Sequence, residues 1–146
     1  MEKNNSDLQL DKQICFALYS ASNAMSRAYR PLLEKLDLTY LQYIVMMVLW
    51  EHDTMNVKAL GNKVSLDSGT LTPLLKRLEG KGLIVRSRSA EDERVRIITL
   101  SDAGFKMREQ AESVPKEMFC KSKMSVEELA QLKQSCDLLL SKLSQA

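Results

Sequence analysis

Two short helix signals, two residues apart and followed at once by an arginine-rich hairpin, constrain this chain more than any other feature. Asn56 is placed to cap a helix over residues 57–64, and Asp67 to cap another from residue 68 to about 81, with Gly82 as its stop. Only Ser65 and Leu66 join them, and two short helices so joined form a helix-turn-helix. Residues 83–88 then read as a strand, residues 90–93 as a charged turn and residues 95–100 as the return strand. A hairpin directly after the second helix is the layout of a winged helix.

The flanks read as helical. Over residues 10–35 apolar side chains recur every three or four positions, at Leu10, Ile14, Ala17, Leu18, Ala21, Ala24, Ala28 and Leu32. Pro31 predicts a kink or break near residue 30. Thr39 caps a helix to about residue 51 whose centre, residues 44–50, is apolar on nearly all sides, as in a buried helix. Ser101 or Asp102 opens a helix to about residue 121, with Pro115 a second possible kink. Ser125 and Glu128 form a capping box for a last helix to about residue 143, striped by Leu129, Leu132, Cys136, Leu139 and Leu143. These terminal helices carry more apolar face than a small winged helix can cover, which predicts a homodimer. The expected fold is mainly α: a winged helix-turn-helix with a small antiparallel β wing over residues 38–101, and a helical homodimerisation region from residues 1–37 and 102–146.

Charge supports a nucleic-acid surface in the middle of the chain. The net charge is only +2, but residues 58–96 hold nine basic and five acidic side chains, net +4. Other classes find no support. No apolar run approaches the ~18 residues of a membrane span. Residues 1–12 are polar and lack the basic start and apolar stretch of a signal peptide, so a cytoplasmic location is expected. Three cysteines, at 15, 120 and 136, form no CxxC pair, and the single histidine, His52, has no metal-ligand cluster around it. Without a phosphate loop, GxSxG or HExxH motif, the reading is a non-enzyme with no metal and no cofactor.

In the second helix of the pair Leu71, Leu74, Leu75 and Leu78 form an inward stripe, leaving Ser68, Thr70, Thr72, Lys76 and Arg77 on other faces. Short hydroxyls near a helix N-terminus suit close approach to base edges and phosphates, and the basic pair suits phosphate or guanine. The hairpin adds Arg86, Arg88, Arg94 and Arg96. Arg94 sits at the turn beside Asp92, where an arginine can enter a minor groove, and Asp92 either holds its guanidinium or braces the turn backbone.

The helix pair, the wing and the run from Asp92 through Arg94 to Thr99-Leu100 resemble the MarR family of dimeric winged-helix repressors. The resemblance spans essentially the whole chain. It implies a two- or three-stranded wing sheet and operator DNA as partner.

The first helix carries a second stripe: Cys15, Tyr19, Ser22, Ser26 and Tyr29, at steps of 4, 3, 4 and 3. Hydroxyls facing a thiol stabilise its thiolate, the form that attacks peroxide oxygen. On a straight helix Cys15 and Tyr29 lie about 21 Å apart, so they can meet only across a dimer of antiparallel helices, where Tyr40 could join them. A lone cysteine is otherwise a small buried hydrophobe.

Residues 14–20, 38–43 and 66–75 resemble the organic hydroperoxide sensors within the MarR family. That resemblance implies that Cys15 is the peroxidatic cysteine and that two tyrosines of the partner subunit, matching Tyr29 and Tyr40, bond its thiolate. Cys120 matches the resolving cysteine of the two-cysteine kind, which forms an inter-subunit disulfide with the first. Cys136 reads as a core thiol, with a resolving role still open. The expected function is a redox-sensing repressor of a palindromic operator, released when an organic hydroperoxide oxidises Cys15. Phe16, Met46, Met47, Trp50 and Phe119 are either walls for lipid-like peroxides or ordinary core. A repressor released by a small phenolic ligand, a broader oxidant or quinone sensor, and a helical adaptor whose wing binds protein are the alternatives.

Overall fold

Local capping starts most of the helices where the sequence places them. The structure, a computed structural model, describes residues 6–145; the first five residues of the polar N-terminal segment lie outside the described residues. Two short 3-10 turns precede α1 (Ile14–Glu34). In α2 (Tyr40–His52) the Thr39 hydroxyl accepts from the Gln42 amide at 3.2 Å while the Gln42 side chain accepts from the Thr39 amide at 3.1 Å. Asn56 caps α3 (Val57–Val64) and Asp67 caps α4 (Ser68–Gly80), each accepting from the amide three residues on. Gly82, at φ +76°, ends α4 as expected. Between α3 and α4 the chain turns through Ser65 in the left-handed conformation.

Two helix boundaries differ from the periodicity. Helix α1 begins at Ile14 rather than residue 10 and runs unbroken through Pro31. Pro31 lies near the C-terminal end, and the Arg27 carbonyl it leaves without an amide donor is on an exposed residue, where water can serve it. The single helix expected over 102–121 is two, α5 (Asp102–Ala111) and α6 (Val114–Ser122). Pro115 cannot donate to the Ala111 carbonyl, and it sits instead in the first turn of α6, where no donor is needed. The last helix, α7 (Val126–Ser144), opens on the Ser125–Glu128 capping box.

The sheet has one strand more than the hairpin alone. The strands β1 (Thr54–Asn56), β2 (Ile84–Arg88) and β3 (Arg96–Leu100) lie in the order β1-β3-β2, antiparallel throughout. Met55 faces Ile98 across β1–β3, and Arg88 faces Arg96 across β2–β3. A hydrogen bond between the Thr54 and Thr99 hydroxyls at 3.0 Å ties the added strand in place.

The chain divides into two compact units, Met1–Glu112 and Ser113–Ala146. In the first, Leu33, Val45, Met46, Leu49, Leu60, Leu71, Leu75, Leu78 and Ile98 are almost wholly buried. Each contributes on the order of 1.5–3 kcal/mol by leaving water. The inward leucines of α4 are therefore core, as read. Met46 and Trp50 are core too, while Phe16 and Met47 are exposed.

Helix α5 closes on the sheet through a glycine. The Trp50 indole donates to the Gly104 carbonyl at 2.8 Å, and a Cβ at Gly104 would lie 2.1 Å from the Leu83 carbonyl oxygen. Gly104→Ala is expected to lower unfolding stability by about 3 kcal/mol, since backbone must move to admit the methyl. Urea unfolding at fixed protein concentration, followed by the fluorescence of Trp50, checks this.

In the second unit α7 buries no residue, and Leu132, Leu138 and Leu143 on it are exposed, as is Phe119 on α6. Cys136, within the α7 stripe, is half-buried in the single chain. Among the described residues no helix is long and apolar enough to cross a membrane.

Candidate DNA interface and thiol site

Helix α4 presents the face its sequence promised. Ser68, Thr70, Lys76 and Arg77 are exposed, and Thr72 is half-buried. The first turn is held open by Asp67, whose carboxylate accepts from the Thr70 amide at 2.8 Å. Free amides at such a helix start are suited to phosphate oxygens.

The wing turn is organised around Asp92. Its Oδ1 accepts from the Arg94 backbone amide at 3.0 Å and from Arg94 Nε at 3.2 Å, and Oδ2 accepts from the guanidinium at 3.4 Å. Both roles read for Asp92, brace and guanidinium holder, are thus filled by one carboxylate. These bonds, the backbone one first, hold its carboxyl below the usual aspartate range. Arg94 is nonetheless 91% exposed, so its free edge points into solvent.

The four wing arginines divide. Arg88, Arg94 and Arg96 are exposed. Arg86 is half-buried and donates to Glu79 Oε1 on α4 at 3.0 Å, with its Nε buried and without a hydrogen-bond partner among the described residues. Its main bond is therefore inward, joining the wing to the second helix of the pair. The Glu79 carboxyl is held below its ordinary value chiefly by the hydrogen bond from Arg86.

Lys58 and Asn62 on α3 were not singled out by sequence, because α3 carries few charges. In three dimensions they line a cleft of about 580 Å³ with Ser68 of α4 and with Arg94 and Arg96 of the wing. The signal that would have found them is the exposed face of the first helix of the pair.

The thiol residues lie on separate elements. Cys15 is in the first turn of α1, free and exposed, and Tyr19 one turn on is also exposed. Tyr29 near the far end of α1 meets Tyr40 at the start of α2, with ring centroids 5.0 Å apart. Cys15 and Tyr29 are fourteen helical residues apart, about 21 Å along the continuous α1. Tyr43 joins the pair at 5.9 Å from Tyr29 and 6.5 Å from Tyr40, and rests edge-on against Trp50. Sequence reading passed over Tyr43, which lies off the hydroxyl stripe of α1. Burial, then the neighbouring Tyr40, raises the Tyr29 phenol above its ordinary value, so it keeps its proton and remains a donor at neutral pH. Burial raises Tyr43 likewise. Cys120 on α6 is free and exposed.

Residues 27–111 match the family model of the transcriptional regulators SarA/Rot. The chain is 47% identical over 145 residues, 99% of both proteins, to the organic hydroperoxide resistance transcriptional regulator of Bacillus subtilis. Among solved structures it is similar to AbfR of Staphylococcus epidermidis, with 31% identity, 97% of each chain covered and a TM-score of 0.79. Reduced AbfR bound to DNA gives 33% identity over 94% of this chain and 96% of that one, with a TM-score of 0.77. Overoxidised AbfR bound to DNA gives 33% identity over 94% of this chain and 97% of that one, at 0.76, and disulfide-formed AbfR 33% over 92% and 95%, at only 0.64. The winged helix-turn-helix, the capped reading helix and this likeness along the full chain have one meaning: the chain belongs to the MarR family of winged-helix transcriptional regulators, in the branch of the organic hydroperoxide regulators.

Proposed function

We propose that this protein is a redox-sensing repressor whose reduced homodimer binds a palindromic operator and leaves it when an organic hydroperoxide oxidises Cys15. One α4 enters the major groove of each half-site, with Ser68, Thr70, Thr72, Lys76 and Arg77 on bases and phosphates. Arg94, steadied by Asp92, enters the minor groove, and Arg88 and Arg96 neutralise phosphates beside it. Arg86 acts at one remove, by fixing the wing on α4. Residues 38–101 form the DNA-binding part, and residues 1–37 and 102–146 the dimerisation part, where the exposed stripes of α1 and α7 are covered by the second copy.

The observation that carries the redox reading is the Tyr29–Tyr40 pair, 5.0 Å apart, with Cys15 of the same chain about 21 Å from Tyr29 along α1. A phenol pair so placed serves a thiolate from the second copy, and Tyr19 lies one turn from that thiolate on its own helix. The thiolate attacks the terminal peroxide oxygen, the O–O bond breaks, and the alkoxide takes a proton to leave as the alcohol. The resulting Cys15 sulfenic acid is attacked by the thiolate of Cys120 of the partner subunit; hydroxide departs as water and a disulfide forms. The hydroperoxide gains two electrons and the two thiols lose them. Release is assigned to the disulfide rather than to oxidation alone. Overoxidised AbfR is a DNA-bound relative, and the disulfide form of AbfR departs further from the fold of this chain.

The test is non-reducing electrophoresis after about one equivalent of cumene hydroperoxide. A covalent dimer is expected in the wild type and in Cys136→Ser, and none in Cys15→Ser or Cys120→Ser. A dimer surviving in Cys120→Ser but lost in Cys136→Ser moves the resolving role to Cys136. A wild type that leaves DNA yet stays monomeric on the gel places the cap on a small thiol instead.

A further inference from the structure

The recognition helix and the turn that presents Tyr40 are clamped together by one lysine. Lys81 immediately follows α4. Its ammonium donates to the Asp37 backbone carbonyl and, at 3.1 Å, to Gln42 Oε1, with the Asp37 carboxylate 3.7 Å away. Asp37 lies in the turn between α1 and α2 and holds a left-handed conformation, φ +54°, that aspartate adopts at some cost. Gln42 is only 3% exposed, and the oxygen that Lys81 reaches is the same one that caps the Thr39 amide. Tyr40 is the first residue of the helix started by that cap. The hydrogen-bond path thus runs without a gap from the end of α4, through Lys81 and Gln42, to the turn that carries Tyr40.

From this path we infer that Lys81 is a positioning residue that couples the Tyr40 turn to the recognition helix. When the thiol held at Tyr29 and Tyr40 is drawn away into a disulfide, the first turn of α2 shifts, and Lys81 carries that shift to the end of α4. A stabilising role alone would also be natural, since an ammonium at the carbonyl end of α1 is favourable. The two roles separate experimentally. A cap affects unfolding, whereas a coupler sets the ratio between operator affinities of the two oxidation states.

This inference rests on the proposed redox function, and the wild-type arm of the experiment tests that function by itself. The probe is a duplex selected from a random pool by the reduced wild-type protein. Its dissociation constant is measured before and after cumene hydroperoxide for the full-length wild type, Lys81→Met and Lys81→Arg, beside the rate of Cys15 oxidation. In Lys81→Met the reduced affinity and the oxidation rate are expected to stay within about threefold of wild type. The oxidised-to-reduced ratio is expected to fall by at least about tenfold. Lys81→Arg, which can reach both acceptors, restores the ratio. An unchanged ratio in Lys81→Met overturns the coupling, and so does a ratio that falls only in step with the oxidation rate. Lys81→Gln takes the place of a methionine variant that fails to fold. Loss of the ratio in the wild type itself overturns the redox function, and the coupling with it.

Discussion

Cys15→Ser is expected to keep the protein on its operator at hydroperoxide concentrations at least about a hundredfold above those that release the wild type. A serine hydroxyl has no accessible anion at neutral pH and does not attack the O–O bond, so the variant has no route to a sulfenic acid. The exchange should be quiet in every other respect. Cys15 forms no disulfide in the chain, and a serine hydroxyl is a small group that can bond the same Tyr29 and Tyr40 phenols, so no polar group is left without a partner. Operator affinity of the reduced protein is therefore expected to match wild type within about twofold. Fluorescence anisotropy of labelled operator DNA, titrated with cumene hydroperoxide, reads both quantities. Release of Cys15→Ser at wild-type peroxide concentrations would sink the mechanism. Release of that variant by a phenolic ligand would instead identify a ligand-controlled repressor.

Arg94→Ala is expected to weaken operator binding by roughly 30- to 1000-fold, from about 1–2 kcal/mol at each of two half-sites. The side chain is 91% exposed and, among the described residues, its hydrogen bonds go to Asp92, so folding loses little. What disappears is a guanidinium already held in one pose, which would otherwise have to be ordered on binding. Asp92→Ala keeps the charge and loses the pose, so a smaller loss, about tenfold, is expected. Because Arg94 holds the Asp92 carboxyl below its ordinary range, the brace is ionised at neutral pH and is lost only as pH falls through that lowered value. Its effect on binding should consequently be flat between about pH 6 and 8. Equilibrium binding at fixed salt checks the affinities, since phosphate contacts make them steeply salt-dependent. Arg94→Ala binding as tightly as wild type would remove the wing from the interface.

Much of the fold was legible because it is closed by bonds between near neighbours. Thr39 with Gln42, Asn56, Asp67, Ser101 and Ser125 each satisfy an amide three residues away, so their side chains announce a helix start in the sequence itself. The α4 leucine stripe and the wing strands repeat at helix and strand periods, and the structure buries or pairs them accordingly. The thiol-and-hydroxyl stripe of α1 was equally visible, since it needs only a helical repeat.

Other features depend on residues of different elements that only folding brings together. Strand β1 has three residues and exists because β3, more than forty positions later, supplies its partners. The Tyr29–Tyr40 pair requires α1 and α2 to cross at one place, and the partition of the wing arginines depends on Glu79 lying beside Arg86. Lys81 looked like an ordinary helix-end lysine until the fold set it against Gln42. By itself the sequence determined the capped helix starts, the helix pair, the wing and the place of Cys15 on a hydroxyl-bearing helix stripe, because local hydrogen bonds and periodicity carry them. Tertiary structure alone decided which phenols meet, which arginine turns inward and what the end of the reading helix touches, because each of those contacts joins two different elements whose packing no local repeat relates.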